Sequence, residues 1–150
     1  MKIDEQTYYE MLNTGINVPY EIGGLLGGTD GVISTYCIDM GVAHGKTCYY
    51  PDVEYLNNIL EKWTHKGVSL YGFFHTHILG RSELSPGDEE YALSVLKAMP
   101  QGIRSLLFPI VIPGAEMVLY RGELVDNEIT FSHEEVILVN IKKENYYGKI

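Results

Sequence analysis

The sequence predicts an α/β fold in which a largely antiparallel or mixed β-sheet is flanked by helices. Segments with apolar residues at helical spacing are interspersed with short segments rich in β-branched and aromatic residues. Glycine, proline and asparagine separate these segments, and no linker, repeat or low-complexity stretch divides the chain. The order of the helices and strands is mixed, which is typical of α/β architectures.

The first third of the chain is expected to form one helix followed by strands. Asp4 can cap a helix over residues 4–13, and Thr14-Gly15 supplies its stop. Apolar segments then predict strands at 21–28, at 32–40 after the turn Thr29-Asp30-Gly31, and near 43–50.

Two glycine pairs lie in the predicted strand 21–28. Gly23-Gly24 and Gly27-Gly28 are not followed by the Gly-Lys-Ser/Thr of a phosphate-binding loop. We therefore expect them to allow close approach of neighbouring backbones in the sheet.

The rest of the chain is expected to add two helices and several strands. One helix runs from Pro51-Asp52 to about residue 65, and another runs from Ser85-Pro86 to about residue 98. Between them, 68–77 is a strand candidate and 78–84 a loop, and later strands are expected near 105–112, 115–121, 128–132 and 135–141. We expect one domain over residues 1–141 and a polar tail over 142–150, in which the role of Tyr146 and Tyr147 stays open.

The composition excludes several classes of protein. No apolar run approaches the roughly 20 residues of a membrane span, and residues 1–20 lack the apolar stretch of a signal peptide. The net charge of −9 argues against binding to nucleic acids or anionic lipids, which requires a basic surface. Because only Cys37 and Cys48 occur, a disulfide scaffold is excluded and the cytoplasm is the simplest location.

The most informative pattern is a pair of histidines followed by the start of a helix. His75 and His77 are two residues apart on a predicted strand, so their imidazoles point to the same face. Asp88 lies in the first turn of the next helix, and the intervening loop is long enough to bring it back over the strand end. Two histidines and one carboxylate, with a water as fourth ligand, are the arrangement of a catalytic zinc site.

A catalytic zinc site also needs a base for the zinc-bound water. Glu21 is the better candidate because it begins an apolar, glycine-rich strand, where a charge is otherwise out of place. Glu83, in the loop, is the alternative.

These residues resemble the JAMM (MPN-plus) zinc metalloproteases. The resemblance rests on His-x-His-x7-Ser-x2-Asp at 75–88 and on an upstream segment, Glu21 to Gly27, in which a Glu precedes small and apolar residues. It implies that His75, His77 and Asp88 bind one zinc ion, that Glu21 holds and deprotonates the water, and that Ser85 stabilises the oxyanion. It also implies a mixed sheet with flanking helices, similar to the cytidine-deaminase arrangement. Many members have Pro after the second histidine, where this chain has Ile78.

The resemblance further implies a peptidase or isopeptidase that acts at the C-terminus of a ubiquitin-like protein. The chain lacks room for the long insertions of eukaryotic deubiquitinases, so it is more similar to the small prokaryotic JAB-type members. Those are thought to process or deconjugate ubiquitin-like or sulfur-carrier proteins. The substrate, the cleaved bond, the oligomeric state and any gating partner stay open.

Each part of the pattern also has an ordinary structural interpretation. Ser85 and Asp88 form a typical helix cap, with proline at the first helical position, and this role can coexist with a catalytic one. His75 and His77 alone would be half-buried strand residues. Two other functions therefore stay open: a non-catalytic MPN-type scaffold that binds proteins, and a zinc hydrolase of small amides.

Overall fold

A nine-stranded mixed sheet lies at the centre of the structure, a computed structural model that describes residues 1–44 and 48–141. The predicted tail over 142–150, with Tyr146 and Tyr147, lies outside the described residues. The three helices of the described ranges are α1 (Glu5–Asn13), α2 (Val53–Lys66) and α3 (Pro86–Ala98). The strands are β1 (Lys2–Asp4), β2 (Gly23–Thr29), β3 (Val32–Asp39), β4 (Ala43–His44), β5 (Tyr49–Tyr50), β6 (Ser69–Thr76), β7 (Ser105–Leu107), β8 (Ile110–Ile112), β9 (Glu116–Val125), β10 (Glu128–Glu134) and β11 (Ile137–Val139).

The sheet has the order β10-β9-β7-β6-β2-β3-β1-β11, and β8 takes the place of β7 between β6 and β9. Antiparallel pairs join β2 to β3 and to β6, and β9 to its neighbours. Parallel pairs join β1 to β3 and β11, and β6 to β7 and β8. The predicted mixed sheet with flanking helices is therefore confirmed. Strands β4 and β5 form a separate hairpin.

Helices cover both faces of the sheet, and each face has its own apolar core. Met11 of α1 packs with Ile3 and Phe74 on one face. On the other face, Leu56 of α2 and Leu96 of α3 pack with sheet residues that include Phe73. Phe73 and Phe74 are neighbours in β6 and point to opposite faces, as the two-residue period of a strand requires. The next odd-numbered residues of this segment therefore lie on the face that α2 and α3 cover.

The helix ends follow the capping signals. The Asp4 carboxylate accepts a hydrogen bond from the Thr7 backbone N–H and the Asp52 carboxylate accepts one from that of Tyr55, as expected for N-caps. Helix α2 ends at Gly67, whose φ of 73° lies in the left-handed region that glycine adopts without strain.

The strands differ from the prediction in several places. The three-residue strand β1 was not predicted. The expected strand near 43–50 is the hairpin of β4 and β5, and the expected strand 105–112 is interrupted at Phe108-Pro109, so that β7 and β8 are separate. Strand β2 begins at Gly23, so Glu21 lies just before it. Strands β9 and β10 are longer than predicted because Asp126 and Asn127, with φ of 50° and 65°, form a tight two-residue hairpin turn.

No helix in the described ranges has the length and apolarity that a membrane crossing requires.

The glycines of β2 allow the close approach that the sequence predicted. A Cβ atom on Gly24 would lie 1.8 Å from the Cys37 carbonyl oxygen, and one on Gly28 would lie 1.9 Å from that of Val32. Both carbonyls belong to β3, so neither position has space for a side chain.

We expect the substitution Gly28→Ala to lower the free energy of unfolding by at least about 2 kcal/mol, because the new methyl group would force β2 and β3 apart. Gly102→Ala is the matched control. A Cβ atom there meets no atom within 4 Å, so its effect should stay within about 0.5 kcal/mol. Urea denaturation of both variants measures the difference, and equal stabilities would contradict the close approach.

Candidate metal centre

His75 and His77 lie side by side at the end of β6. Their spacing places both rings on the face covered by α2 and α3, where their residues are only 4% and 7% exposed. The two Nε2 atoms are 2.9 Å apart, so both point to a common position.

Helix α3 brings Asp88 to this position. Asp88 is the third residue of the helix, and its two carboxylate oxygens meet different rings. Oδ1 lies 3.1 Å from Nε2 of His75, and Oδ2 lies 3.1 Å from Nε2 of His77. The sequence pattern is thus assembled as predicted, and the three residues form a group that could hold a metal ion.

The donor set fits a small cation that prefers nitrogen and oxygen ligands. Ligands at about 2.0–2.2 Å from a tetrahedral zinc ion lie roughly 3.3–3.6 Å apart, so the observed separations require shifts of only a few tenths of an ångström. Nδ1 of His77 donates a hydrogen bond to the Arg81 carbonyl oxygen over 2.7 Å. Since a carbonyl can only accept, the proton of the neutral ring lies on Nδ1 and the lone pair of Nε2 faces the cluster.

The charges of the cluster stabilise one another in the absence of metal. Burial alone would raise the pKa of the Asp88 carboxyl, but hydrogen bonds from His75 and from the protonated ring of His77, with the backbone N–H of Ser85, hold this pKa far below its usual range. Burial likewise opposes the charged form of His77. Its hydrogen bonds to Asp88 and the Arg81 carbonyl, with the negative charges of Asp88 and Glu21, nevertheless raise its pKa.

Ser85 caps α3, as its ordinary interpretation predicted. Its hydroxyl oxygen accepts a hydrogen bond from the Asp88 backbone N–H at 3.1 Å, and its own backbone N–H donates to Oδ2 of Asp88 at 2.9 Å. This reciprocal capping box holds Asp88 in the orientation that faces the histidines. The cap uses a lone pair of the hydroxyl, so the hydroxyl hydrogen is left to donate elsewhere.

Glu21 is a buried carboxylate beside this cluster. Its residue is 6% exposed, and no group in the described ranges donates a hydrogen bond to it. Burial raises its pKa to about 7; the positive charge of His77 lowers this pKa and the negative charge of Asp88 raises it. Of the two acids considered from the sequence, Glu83 is exposed in the loop. Glu21 is therefore the acid of the two that lies buried beside the histidines and Asp88.

Thr76, which the sequence analysis did not single out, determines where Glu21 lies. The antiparallel ladder pairs Gly23 with His75, and the next residues, Ile22 and Thr76, continue it beyond the end of β2. The Thr76 backbone N–H donates to the Ile22 carbonyl at 2.8 Å, and the Ile22 N–H donates to the Thr76 hydroxyl at 3.0 Å. The backbone N–H and the carbonyl of Ile22 are thus both hydrogen-bonded to Thr76, which lies between the two histidines. No sequence motif marks this role, because any threonine in a strand has the same local pattern.

A cavity of about 190 Å³ opens beside the cluster. His75, Asp88 and Ser85 form its polar side. The remaining lining residues come from the β4–β5 hairpin region and from α3: Cys48, Tyr49, Tyr50, Gly87 and Tyr91. The cavity therefore gives access to the cluster on the side of His75 and Asp88.

Comparison with known proteins identifies the fold. No family model matches the sequence, and no curated protein does so either. Among solved structures, the chain is similar to a Desulfitobacterium hafniense protein (19% identity, TM-score 0.66), covering 93% of this chain and 92% of that one. A JAB1/MPN domain protein from Archaeoglobus fulgidus has 17% identity and a TM-score of 0.55, with 93% and 100% covered. A Salinibacter ruber protein has 16% identity and a TM-score of 0.56, with 93% and 92% covered. These likenesses show that the chain has the fold of a JAB1/MPN domain.

The buried carboxyl of Glu21 should make the metal-free protein less stable as the pH rises. Its pKa in the folded protein is about 7, above the ordinary value of 4.5, so folding favours the protonated form. The stability that the protonated carboxyl contributes to the folded protein is fully present below about pH 4.5. It is lost as the pH rises through about 7. We expect Glu21→Gln to match the wild type in acid and to be more stable by about 1–3 kcal/mol in mild alkali, measured by urea denaturation with a chelator. Glu83→Gln, at the exposed acid, should show no such trend; an equal trend would contradict the burial of Glu21.

Loss of the Thr76 hydroxyl should destabilise the metal-free protein. Thr76→Val keeps the shape of the side chain but leaves the buried Ile22 N–H without its acceptor, which should cost about 1–3 kcal/mol. Thr76→Ser keeps the acceptor and should lie closer to the wild type. Urea denaturation tests this order, and a valine variant as stable as the serine variant would show that the hydroxyl is not needed.

Proposed function

We propose that this protein is a zinc-dependent peptidase or isopeptidase of the JAMM type. The single observation that carries the proposal is the convergence of His75, His77 and Asp88 beside the buried carboxylate of Glu21. Three protein ligands that leave one side open are the pattern of catalytic rather than structural zinc sites. Imidazole and carboxylate donors suit zinc, and one ion per chain is expected.

The residues around the site have complementary roles in this proposal. When bound by His75, His77 and Asp88, zinc would lower the pKa of a water ligand toward about 7 and polarise the carbonyl group of the substrate. Glu21, a carboxylate buried beside the three ligands, accepts the proton of the attacking water. Glu21 then delivers this proton to the leaving amine. Ser85 donates its hydroxyl hydrogen to the oxyanion that develops on the carbonyl.

The substrate that we propose is the C-terminal segment of a ubiquitin-like or sulfur-carrier protein, in the cytoplasm of a prokaryote. This rests on the resemblance of the motif to the small prokaryotic JAMM proteins, and one observation supports it. The cavity beside the cluster is bordered by tyrosines of the hairpin and α3, which suits an extended peptide better than an enclosed small amide.

The decisive experiment compares zinc content and cleavage in matched variants. The substrate is a ubiquitin-like protein fused through its C-terminus to a reporter protein. We expect Glu21→Gln to keep about one zinc per chain and to lose at least about 100-fold in kcat, because the proton acceptor is gone while the ligands remain. His77→Ala should lose the zinc as well. Glu83→Gln removes an exposed carboxylate and should retain both.

Each alternative predicts a different result. Zinc bound by the wild type without turnover of any fusion would favour the non-catalytic scaffold. Faster hydrolysis of short amides than of fusions would favour a small-amide hydrolase. Full activity of Glu21→Gln would remove Glu21 from the mechanism. Absence of zinc in the wild type, even after zinc is added, would leave Ser85 and Asp88 with the capping role alone.

A further inference from the structure

The loop between His77 and α3 is held by very few interactions. Residues 78–84 contain no helix or strand, and of them Ile78 and Leu79 form a turn. Two hydrogen bonds from side chains to this loop are present. They reach consecutive carbonyl groups, those of Arg81 and Ser82.

The first of these bonds orients His77. Its Nδ1–H donates to the Arg81 carbonyl, which keeps the Nε2 lone pair directed at His75 and Asp88. The Arg81 side chain is exposed, so the backbone rather than the side chain makes this contact. Whatever holds that carbonyl in place therefore also determines the direction of the His77 ring.

The second bond comes from Tyr120 in β9. The Tyr120 hydroxyl donates to the Ser82 carbonyl at 2.7 Å. Because the carbonyls of Arg81 and Ser82 are joined through one residue, fixing the second restricts the orientation of the first. The residue that follows His77 is Ile78 rather than proline. The fixed backbone angle of a proline therefore does not help to hold the loop at that position.

Tyr120 is itself held firmly enough to act as an anchor. Its backbone carbonyl accepts a hydrogen bond from the Phe108 N–H at 2.7 Å, at the interruption between β7 and β8. Its ring packs against His133 of β10, with ring centroids 4.6 Å apart. Tyr120 as a whole residue is largely buried in β9, which limits the movement of its ring.

We propose that Tyr120 is a positioning residue for the metal centre. Its hydroxyl holds the 78–84 loop in place by bonding the Ser82 carbonyl, and the Arg81 carbonyl in that loop then fixes the tautomer and direction of the His77 ring. This inference rests on the proposed zinc site. It adds to that site a residue that is neither a ligand nor in contact with one.

The test compares Tyr120→Phe with Tyr71→Phe. The first variant keeps the ring against His133 and removes only the hydroxyl. The second removes the Tyr71 hydroxyl, which accepts a hydrogen bond from the Gly31 backbone N–H at 2.9 Å and also belongs to β6, the strand that carries His75. Zinc affinity is measured by competition with a chromophoric chelator. We expect Tyr120→Phe to bind zinc about 10-fold more weakly and Tyr71→Phe to bind it like the wild type.

A second measurement needs no zinc and separates this inference from the proposed function. Nitrogen-15 NMR of the metal-free protein in alkali, where the ring is neutral, reports which nitrogen of His77 carries the proton. We expect a single Nδ1–H tautomer in the wild type and in Tyr71→Phe, and a mixture in Tyr120→Phe. If the wild type binds no zinc, the proposed function fails while this measurement still tests the positioning of His77.

Two outcomes would overturn the inference. One is an unchanged His77 tautomer in Tyr120→Phe, which would mean that the loop holds the Arg81 carbonyl without the hydroxyl. The other is equal zinc affinity in the two variants, whether both are weakened or neither is. Equal weakening would point to general loosening of β6, and equal strength would show that the anchor is dispensable.

Discussion

The register between β2 and β6 is the constraint on which the candidate site depends. Gly23 pairs with His75, and Thr76 carries the pairing one residue further by bonding both backbone groups of Ile22. Glu21 therefore enters the cluster from the neighbouring strand, beside His77. A shift of one residue would turn every side chain of the segment to the opposite face, so the acid would point to the α1 core instead.

The cluster places four ionisable side chains in a region that is mostly closed to solvent, which is costly unless the charges compensate one another. Asp88 provides most of this compensation. Its carboxylate meets both histidine rings and the Ser85 backbone N–H, and it lies at the positive end of the α3 dipole. Within the described ranges no group donates a hydrogen bond to Glu21, and burial raises its pKa to about 7. The two carboxylates thus have opposite protonation tendencies in the metal-free protein.

Features with a local physical cause could be predicted from the sequence. Asp4, Asp52 and Ser85 mark helix starts because capping depends on neighbouring residues, and the His-x-His spacing fixes a common face through the period of a strand. Strand β1 was missed because three residues carry little periodicity and its partners, β3 and β11, are distant in sequence. Thr76 and Tyr120 were missed for a related reason. Their contacts are with backbone groups of distant segments. Because nearly every residue has the same backbone groups, the sequence does not indicate which of them a side chain contacts.

The pairing of β1 with β11 has a consequence for the dynamics of the sheet. This contact joins segments that are very distant in the chain; Asp4 accepts a hydrogen bond from the Ile141 N–H, 137 residues away. Closing so large a loop is entropically costly, so this edge of the sheet is expected to assemble late and to open first. Strands β3 and β2 lie between that edge and β6. Fraying at the edge, visible as rapid amide hydrogen exchange, can therefore occur while the histidines keep their places.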